Sequence, residues 1–276
     1  MDACELTMEN RCIRSAENVN ADVLTEKRGE VLWITINRES ARNALNDAVL
    51  ERLAQCFSDA GRDAHIRAIV LTGVGHRAFC AGGDLKSHSA TFEFDYARPS
   101  TTYADLMRAM SDVNQPTIAR VNGHCLAGGM GLLAMCDMAV AAETAMFGLP
   151  EVKVGMFPMQ VAASLRRILP ARAFAELCYC GDSIDAAEAK EMGLLNYVVR
   201  ANELDDKVDR LAARVTARSP TAIRRGKYAL RATLDMTFEQ SLAYLETQLG
   251  TLSLTRDAKE GLASFNENRA PQWTGL

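Results

Sequence analysis

Between residues 31 and 141, short β-branched runs alternate with amphipathic stretches of helical period, and two of the turns that join them are rich in glycine. Residues 31–36 (VLWITI), 66–71 (IRAIVL), 117–121 (TIARV) and 137–141 (DMAVA) read as strands. Over 44–60, Leu45, Val49, Leu53, Phe57 and Ala60 recur at helical spacing. A second helix is predicted over 101–113, ending at Gln115-Pro116 because proline disfavours helical backbone in the residue before it. Strands separated by helices pair largely in parallel, since each parallel partner needs a crossover that a helix supplies. The fold class is therefore α/β. Beyond Pro158 helical patterns dominate, over 159–168, 171–179, 185–191, 203–217, 220–234, 238–252 and 257–266, with a short strand near 197–199. The expected division is a flexible N-terminal segment over 1–22, an α/β core over 23–200 and a helical region over 201–276. Residues 87–100 lack periodicity and are expected to form a mobile loop.

Composition removes several function classes. A chain of 276 residues that is 48% hydrophobic and 24% charged is not globally disordered and is long enough to bury a core without disulfide staples. A net charge of −4 argues against a protein that coats nucleic acid, whose affinity would come from neutralising phosphates. The eight cysteines are scattered, several of them inside apolar stretches, and the four histidines show no HxxxH spacing, so no metal site is expected. Free thiols in apolar surroundings suit reducing cytosol. Residues 1–22 are acidic and lack an apolar targeting segment, Trp-Thr-Gly-Leu at the end is no peroxisomal address, and no apolar run is long enough to span a bilayer. A cytoplasmic protein without membrane or nucleic-acid partners is expected.

The first glycine-rich turn, Gly73-Val-Gly-His-Arg-Ala78, fits the GxGxxA dinucleotide fingerprint, which requires a helix to begin at the second glycine. Here the chain runs on through Phe79-Cys-Ala-Gly-Gly-Asp84, whose adjacent glycines oppose a helix, so nicotinamide binding is not expected. The second passage, Gly123 to Gly131, has Gly129-Met130 where a phosphate-binding loop needs Lys-Ser/Thr. What two such turns do offer is backbone N–H groups open to a ligand, the second at a helix start where unpaired donors favour an anion. Two donors converging from separate turns would stabilise a developing oxyanion. The plain alternative is that the glycines serve tight turns alone.

Phe79-Cys-Ala-Gly-Gly-Asp-Leu-Lys86, Val121-Asn-Gly-His-Cys-Leu-Ala-Gly-Gly-Met130 and Phe147-Gly-Leu-Pro-Glu-Val152 are similar, in order and spacing, to the three signature stretches of the enoyl-CoA hydratase/isomerase (crotonase) family. The likeness extends to Asn37-Arg38 and Ala41–Leu45 upstream, and to Ser219-Pro220, Lys227, Leu230, Glu260–Phe265 and Arg269 downstream, covering roughly 25–273. The resemblance implies a crotonase-like spiral of ββα units with a helical C-terminal trimerisation region, assembled as a homotrimer or dimer of trimers. It implies an acyl-CoA substrate, with coenzyme A entering only as part of the thioester and no resident cofactor. It places the oxyanion-hole amides at Gly83 and Gly128, and the adenine and pantetheine along Arg42, Ala44, Ala81, Asp84 and Leu85.

One departure matters for the chemistry. Hydratases of this family carry two glutamates; the first position here is Gly131, and only the second is kept, as Glu151. Any proton transfer must then rest on Glu151 or on a residue from elsewhere, and one carboxylate suffices to move a double bond across an enolate. Double-bond isomerisation is therefore favoured. Single-carboxylate hydration, for instance of a branched acyl chain lodged in space vacated at Gly131, and a catalytically weakened acyl-CoA-binding protein remain the alternatives. The family's glycine-rich stretch after the glutamate is replaced by Phe157-Pro-Met-Gln160. Among other residues, His124 reads as a packed side chain, Asp84 as a cap of backbone amides and Asp137 as structural. Arg224, Arg225, Lys227 and Arg231 read as a solvated basic face.

Overall fold

Val31–Ile36 (β2) folds back on Val23–Arg28 (β1) as an antiparallel hairpin turned at Gly29, which stands at φ +60°. In the computed structural model described here, residues 21–84, 96, 97 and 99–276 are placed; residues 1–20 of the segment expected to be flexible and most of the loop at 87–100 lie outside the described residues. β1 escaped the sequence reading because Glu26, Lys27 and Arg28 dilute its pattern, and those charges suit the edge it forms. From β2 the sheet extends in parallel through Ala68–Gly73 (β3), Thr117–Val121 (β5), Met138–Ala142 (β7) and Tyr197–Val199 (β10). β3 is buried along its whole length, with Ile69 and Leu71 in one apolar cluster and Val70 in the other, as a central parallel strand covered on both faces must be.

Each face recruits its own helix. Trp33, Val70, Ile118 and Val140 pack against Leu204, Val208, Leu211 and Ala212 of Leu204–Thr216 (α7). The opposite face packs into the main core with Asp47–Arg62 (α1), which buries Val49, Leu50, Leu53, Cys56, Phe57 and Ala60 on one stripe. Helical spacing alone suggested an earlier start for α1. Asn46 sets the boundary, its side chain accepting from the Val49 amide at 2.9 Å. Thr102–Asp112 (α2) lies against α1 and buries Tyr103, Leu106 and Met110.

A second, four-stranded sheet is made of strands too short to be read from pattern: Ala78–Cys80 (β4), His124–Leu126 (β6), Met146–Gly148 (β8) and Ser183–Asp185 (β9). The first three are parallel and β9 is antiparallel to β8. Each of β3, β5 and β7 is followed by one of these short strands and then by helical backbone, so the chain winds between the sheets as a repeated ββα unit. The sequence between Gly73 and Ala78 thus joins two strands rather than opening a helix, the context a dinucleotide site lacks.

Pro220–Ala232 (α8), Phe238–Ser253 (α9) and Arg256–Asn266 (α10) complete the chain. The basic cluster on α8 is not a solvated face. Arg224 donates to the carbonyls of Ala64 and Ile66 at 2.8 and 2.9 Å, Lys227 to the Gln115 carbonyl and the Asp137 carboxylate, and Arg231 to the Ser111 carbonyl. These charges dock α8 on the α/β core, and Asp137 also accepts from the Thr117 amide and hydroxyl.

Asp257, only 2% exposed, ties the C-terminal tail back: it accepts from the Ser219 hydroxyl at 2.7 Å and from the amides of Thr274 and Gly275 at 2.8 and 3.1 Å. Burial raises its pKa, but these hydrogen bonds outweigh it and hold the carboxyl down at about 2. A depressed folded-state pKa means stability that is present above the unfolded value near 4 and lost as pH falls toward 2. Asp257→Asn is expected to cost about 2 kcal/mol at neutral pH, and urea unfolding should show the gap between variant and wild type closing as pH falls toward 2.

Candidate active site

The parallel strands of the second sheet deliver three turns to one end. Cys80, Cys125 and Phe147 stand side by side across β4, β6 and β8. Gly83 and Gly128 each follow this row by three residues and Glu151 by four. Adjacent strands lie about 4.8 Å apart, so residues just beyond their carboxyl ends are near neighbours. The same logic places ligands outside the carboxyl ends of parallel strands generally.

The two glycine turns touch. Gly82, at φ +95°, lies so close to the second turn that a methyl group on it would sit 2.6 Å from the Ala127 Cβ and 3.3 Å from the Gly128 nitrogen. On its other side the first turn is held by Leu45, whose amide donates to the Gly82 carbonyl and whose carbonyl accepts from Asp84, both at 2.8 Å. That pairing turns the Gly83 N–H away from Leu45. Gly128 is the first residue of Gly128–Ala134 (α3), so its N–H has no acceptor within the helix. Ala127 ahead of it adopts φ 50°, ψ −122°, a conformation that costs a non-glycine residue of order 1–3 kcal/mol and persists only where its surroundings enforce it.

Two buried asparagines brace the loop between β3 and β4. Asn43, 1% exposed, donates to the carbonyls of Val74 and Ala78, and Asn122 donates to those of Gly75 and Ala78 while accepting from Gly73. For Asn122 the signal in the sequence was its place beside Gly123, whereas Asn43 lies thirty residues before the turn it braces and carried none. Arg42, Ala44, Ala81 and Asp84 lie together. The Ala81 amide donates to the Arg42 carbonyl, and Arg38 bridges the Ala44 carbonyl and the Asp84 carboxylate at 2.7 and 2.9 Å. Asp84 also anchors Arg38 in an ion pair. Leu85 lies outside the described residues. His124 is exposed rather than packed, its Nδ1 accepting from the Met146 amide.

Glu151 rides on the tight helical turn Pro150–Val154 after β8. It is half-buried, and its Oε2 is shielded from solvent with no hydrogen-bond partner. Desolvation pushes its pKa up. The carboxylate in turn helps to raise the Tyr103 phenol and the Cys178 thiol, both of which burial alone already pushes up, the thiol to about 11. These two neighbours are thus kept neutral.

The room expected at Gly131 is not there. The Tyr103 hydroxyl fills it and donates to the Gly128 carbonyl at 2.7 Å, so that even a Cβ on Gly131 would collide with the Tyr103 oxygen. A branched acyl chain has no vacated space at that point. Periodicity could have flagged Tyr103 as a buried helix position, but not its partner across the fold. Gln160, from the altered stretch 157–160, reaches Thr101 at 2.5 Å and secures the start of α2.

Comparison with known proteins gives the family. The family model for enoyl-CoA hydratase/isomerase matches residues 26–276. The enoyl-CoA hydratase EchA19 of Mycobacterium tuberculosis is 36% identical over 257 residues, covering 91% of this chain and 96% of that protein. The 2,3-dehydroadipyl-CoA hydratase of Escherichia coli is 34% identical over 258 residues, covering 92% and 99%. A crystal structure of enoyl-CoA hydratase from Bacillus anthracis superposes with a TM-score of 0.85 at 32% identity, covering 93% of this chain and 100% of that one. The chain belongs to the enoyl-CoA hydratase/isomerase family. Within this family its site combines two abutting glycine turns, one partnerless carboxylate and a tyrosine packed at Gly131. No helix among the described residues is long and apolar enough to cross a membrane, and none of their His, Cys, Asp and Glu side chains gather in a group of three that could hold a metal ion.

Gly131→Ala is expected to destabilise the protein by roughly 1–3 kcal/mol through overpacking against Tyr103. Thermal melts of the single variant and of Gly131→Ala/Tyr103→Phe check this, because removing the phenolic oxygen should recover part of the loss.

Proposed function

We propose that this protein is an acyl-CoA enzyme that forms a thioester enolate, holds its oxygen with the N–H groups of Gly83 and Gly128, and moves protons with Glu151 alone. The observation that carries the reading is the Glu151 Oε2, buried without a partner at the end of the sheet where the two glycine turns meet. A desolvated carboxylate is a stronger base than one in water, and the energetic cost of keeping it unpaired is repaid when it takes a proton.

The reaction best suited to one base is migration of a double bond. The Glu151 carboxylate removes a proton from C2 of a 3-enoyl thioester. The electron pair moves onto the thioester oxygen, where the two amides stabilise it. The same carboxyl then returns the proton at C4 as the C2–C3 double bond forms. Tyr103 and Cys178, held neutral, cannot act as a second base. Coenzyme A comes and goes with the substrate, along Arg42, Ala44, Ala81 and Asp84, and the chemistry needs no resident cofactor or metal. Hydration of a 2-enoyl thioester is the second reading, favoured by the hydratase names of the relatives; Glu151 would then both activate water and protonate C2.

Assembly into homotrimers, or dimers of trimers, is part of the same proposal. Phe238 and Leu249 on α9, Leu254 just after it, and Leu262 and Phe265 on α10 are all more than 60% exposed, and α9 buries no residue at all within the chain. Apolar side chains set out along helices in this way are expected to be covered by further copies of the chain. Light scattering should return a multiple of three times 30.1 kDa, and a monomer would count against this part.

Incubating the enzyme with 3-enoyl-CoA and 2-enoyl-CoA in deuterated water, followed by mass analysis, separates the reactions. Isomerisation changes only deuterium content and spectrum, hydration adds the mass of water, and no change favours a binding-only protein. Glu151→Gln should lower turnover by about 10²–10⁴-fold while leaving acyl-CoA affinity intact. Because Glu151 must be ionised to act and its pKa is raised above 4.5, kcat/KM of the wild type should fall as pH drops through that raised value. The Gln variant should melt no lower than wild type, since it removes a desolvated charge.

A further inference from the structure

We propose that Tyr103 is a positioning residue: its hydroxyl clamps the first turn of α3 so that the Gly128 N–H stays aimed into the site, an inference that rests on the two-amide reading above. Three observations carry it. First, the Tyr103 hydroxyl donates to the Gly128 carbonyl at 2.7 Å, on the very residue that supplies the amide, from a helix 25 positions earlier in the chain. Second, that amide leaves from a strained turn. Ala127 stands at φ 50°, ψ −122°, and rotating the peptide between Ala127 and Gly128 by half a turn would carry Ala127 into the left-handed helical region, which is better populated for an L-residue. Gly128 has no Cβ to oppose such a rotation, and the rotated peptide would point its N–H away from the site. Third, the phenol wedges between Gly128 and Gly131, one helical turn apart on the same face of α3, and only the missing side chain at Gly131 makes room for it.

The turn has few other restraints. The Ala127 amide donates to the Gly148 carbonyl and its carbonyl accepts from Met130, both at 2.9 Å; Leu45 also packs near Gly128, and the Tyr103 hydroxyl supplies a side-chain hydrogen bond on that residue. α2 is itself secured, by Leu106 and Met110 in the core and by Gln160 on Thr101, so the hydroxyl is presented from a rigid element. Tyr103 thus acts on the reaction through the Gly128 peptide.

The test uses hexanoyl-CoA carrying ¹³C at the thioester carbonyl, a saturated ligand that binds without turning over, and reads its carbonyl stretch by difference infrared spectroscopy. Wild type should shift the stretch to lower frequency, because two N–H donors polarise the carbonyl. Tyr103→Phe keeps the ring and its packing; it should reduce that shift and lower kcat by about 10–100-fold, with KM within about twofold, as expected for a small misplacement of a catalytic group. Adding Ala127→Gly, which removes the strain that drives the turn to relax, should restore part of both the shift and kcat. A Tyr103→Phe protein with the wild-type shift and rate overturns the inference while leaving the two-amide reading standing. So does a loss that tracks melting temperature and is not recovered by Ala127→Gly. A wild type that does not shift the carbonyl at all overturns the two-amide reading itself, and the inference with it.

Discussion

A single methyl group would separate the two turns on which this site is built. Gly82 approaches Ala127 and the Gly128 nitrogen so closely that no side chain fits between them, and its φ of +95° is one that side-chain-bearing residues rarely adopt. The rest of the site is arranged around that contact. Leu45 holds the first turn from one side by strand-like pairing, and Asn43 and Asn122 brace the loop that leads to it. In the second turn the strained Ala127 is held by hydrogen bonds to the Gly148 carbonyl and from the Met130 amide. Backbone groups brought together in this way are already ordered before a ligand arrives, which is what makes such donors effective toward a developing charge.

Opposite this pair stands a carboxylate whose environment is apolar and whose titratable neighbours are neutral. Burial keeps the Tyr103 phenol and the Cys178 thiol protonated, and Glu151 reinforces both. On the proposed reading, labour divides between backbone and side chain: N–H groups for the oxygen, one carboxyl for the carbon-bound protons. A second carboxylate at position 131 would need the volume that Tyr103 holds.

Much of the fold was legible in the chain because long elements carry strong periodic signals. Helices such as α7, with Leu204, Val208 and Leu211 on one stripe, and strands such as β3 and β5 announce themselves by pattern. The strands of the second sheet are three residues long and have no period to detect, yet they are what aligns the site. The edge strand β1 was hidden by its charges. The basic run on α8 was misread as a solvated face because its acceptors, the carbonyls of Ala64, Ile66, Ser111 and Gln115, are backbone atoms far away in sequence.

By itself the amino-acid sequence determined the α/β class, the glycine positions, the retention of Glu151 and the absence of a carboxylate at Gly131, since these depend on residue identity and local spacing. Tertiary structure alone decided what fills the space at Gly131 and what faces Glu151. Both answers depend on which side chain a distant helix brings to the end of the second sheet, and the packing of α2 against α1 and α3 places Tyr103 there.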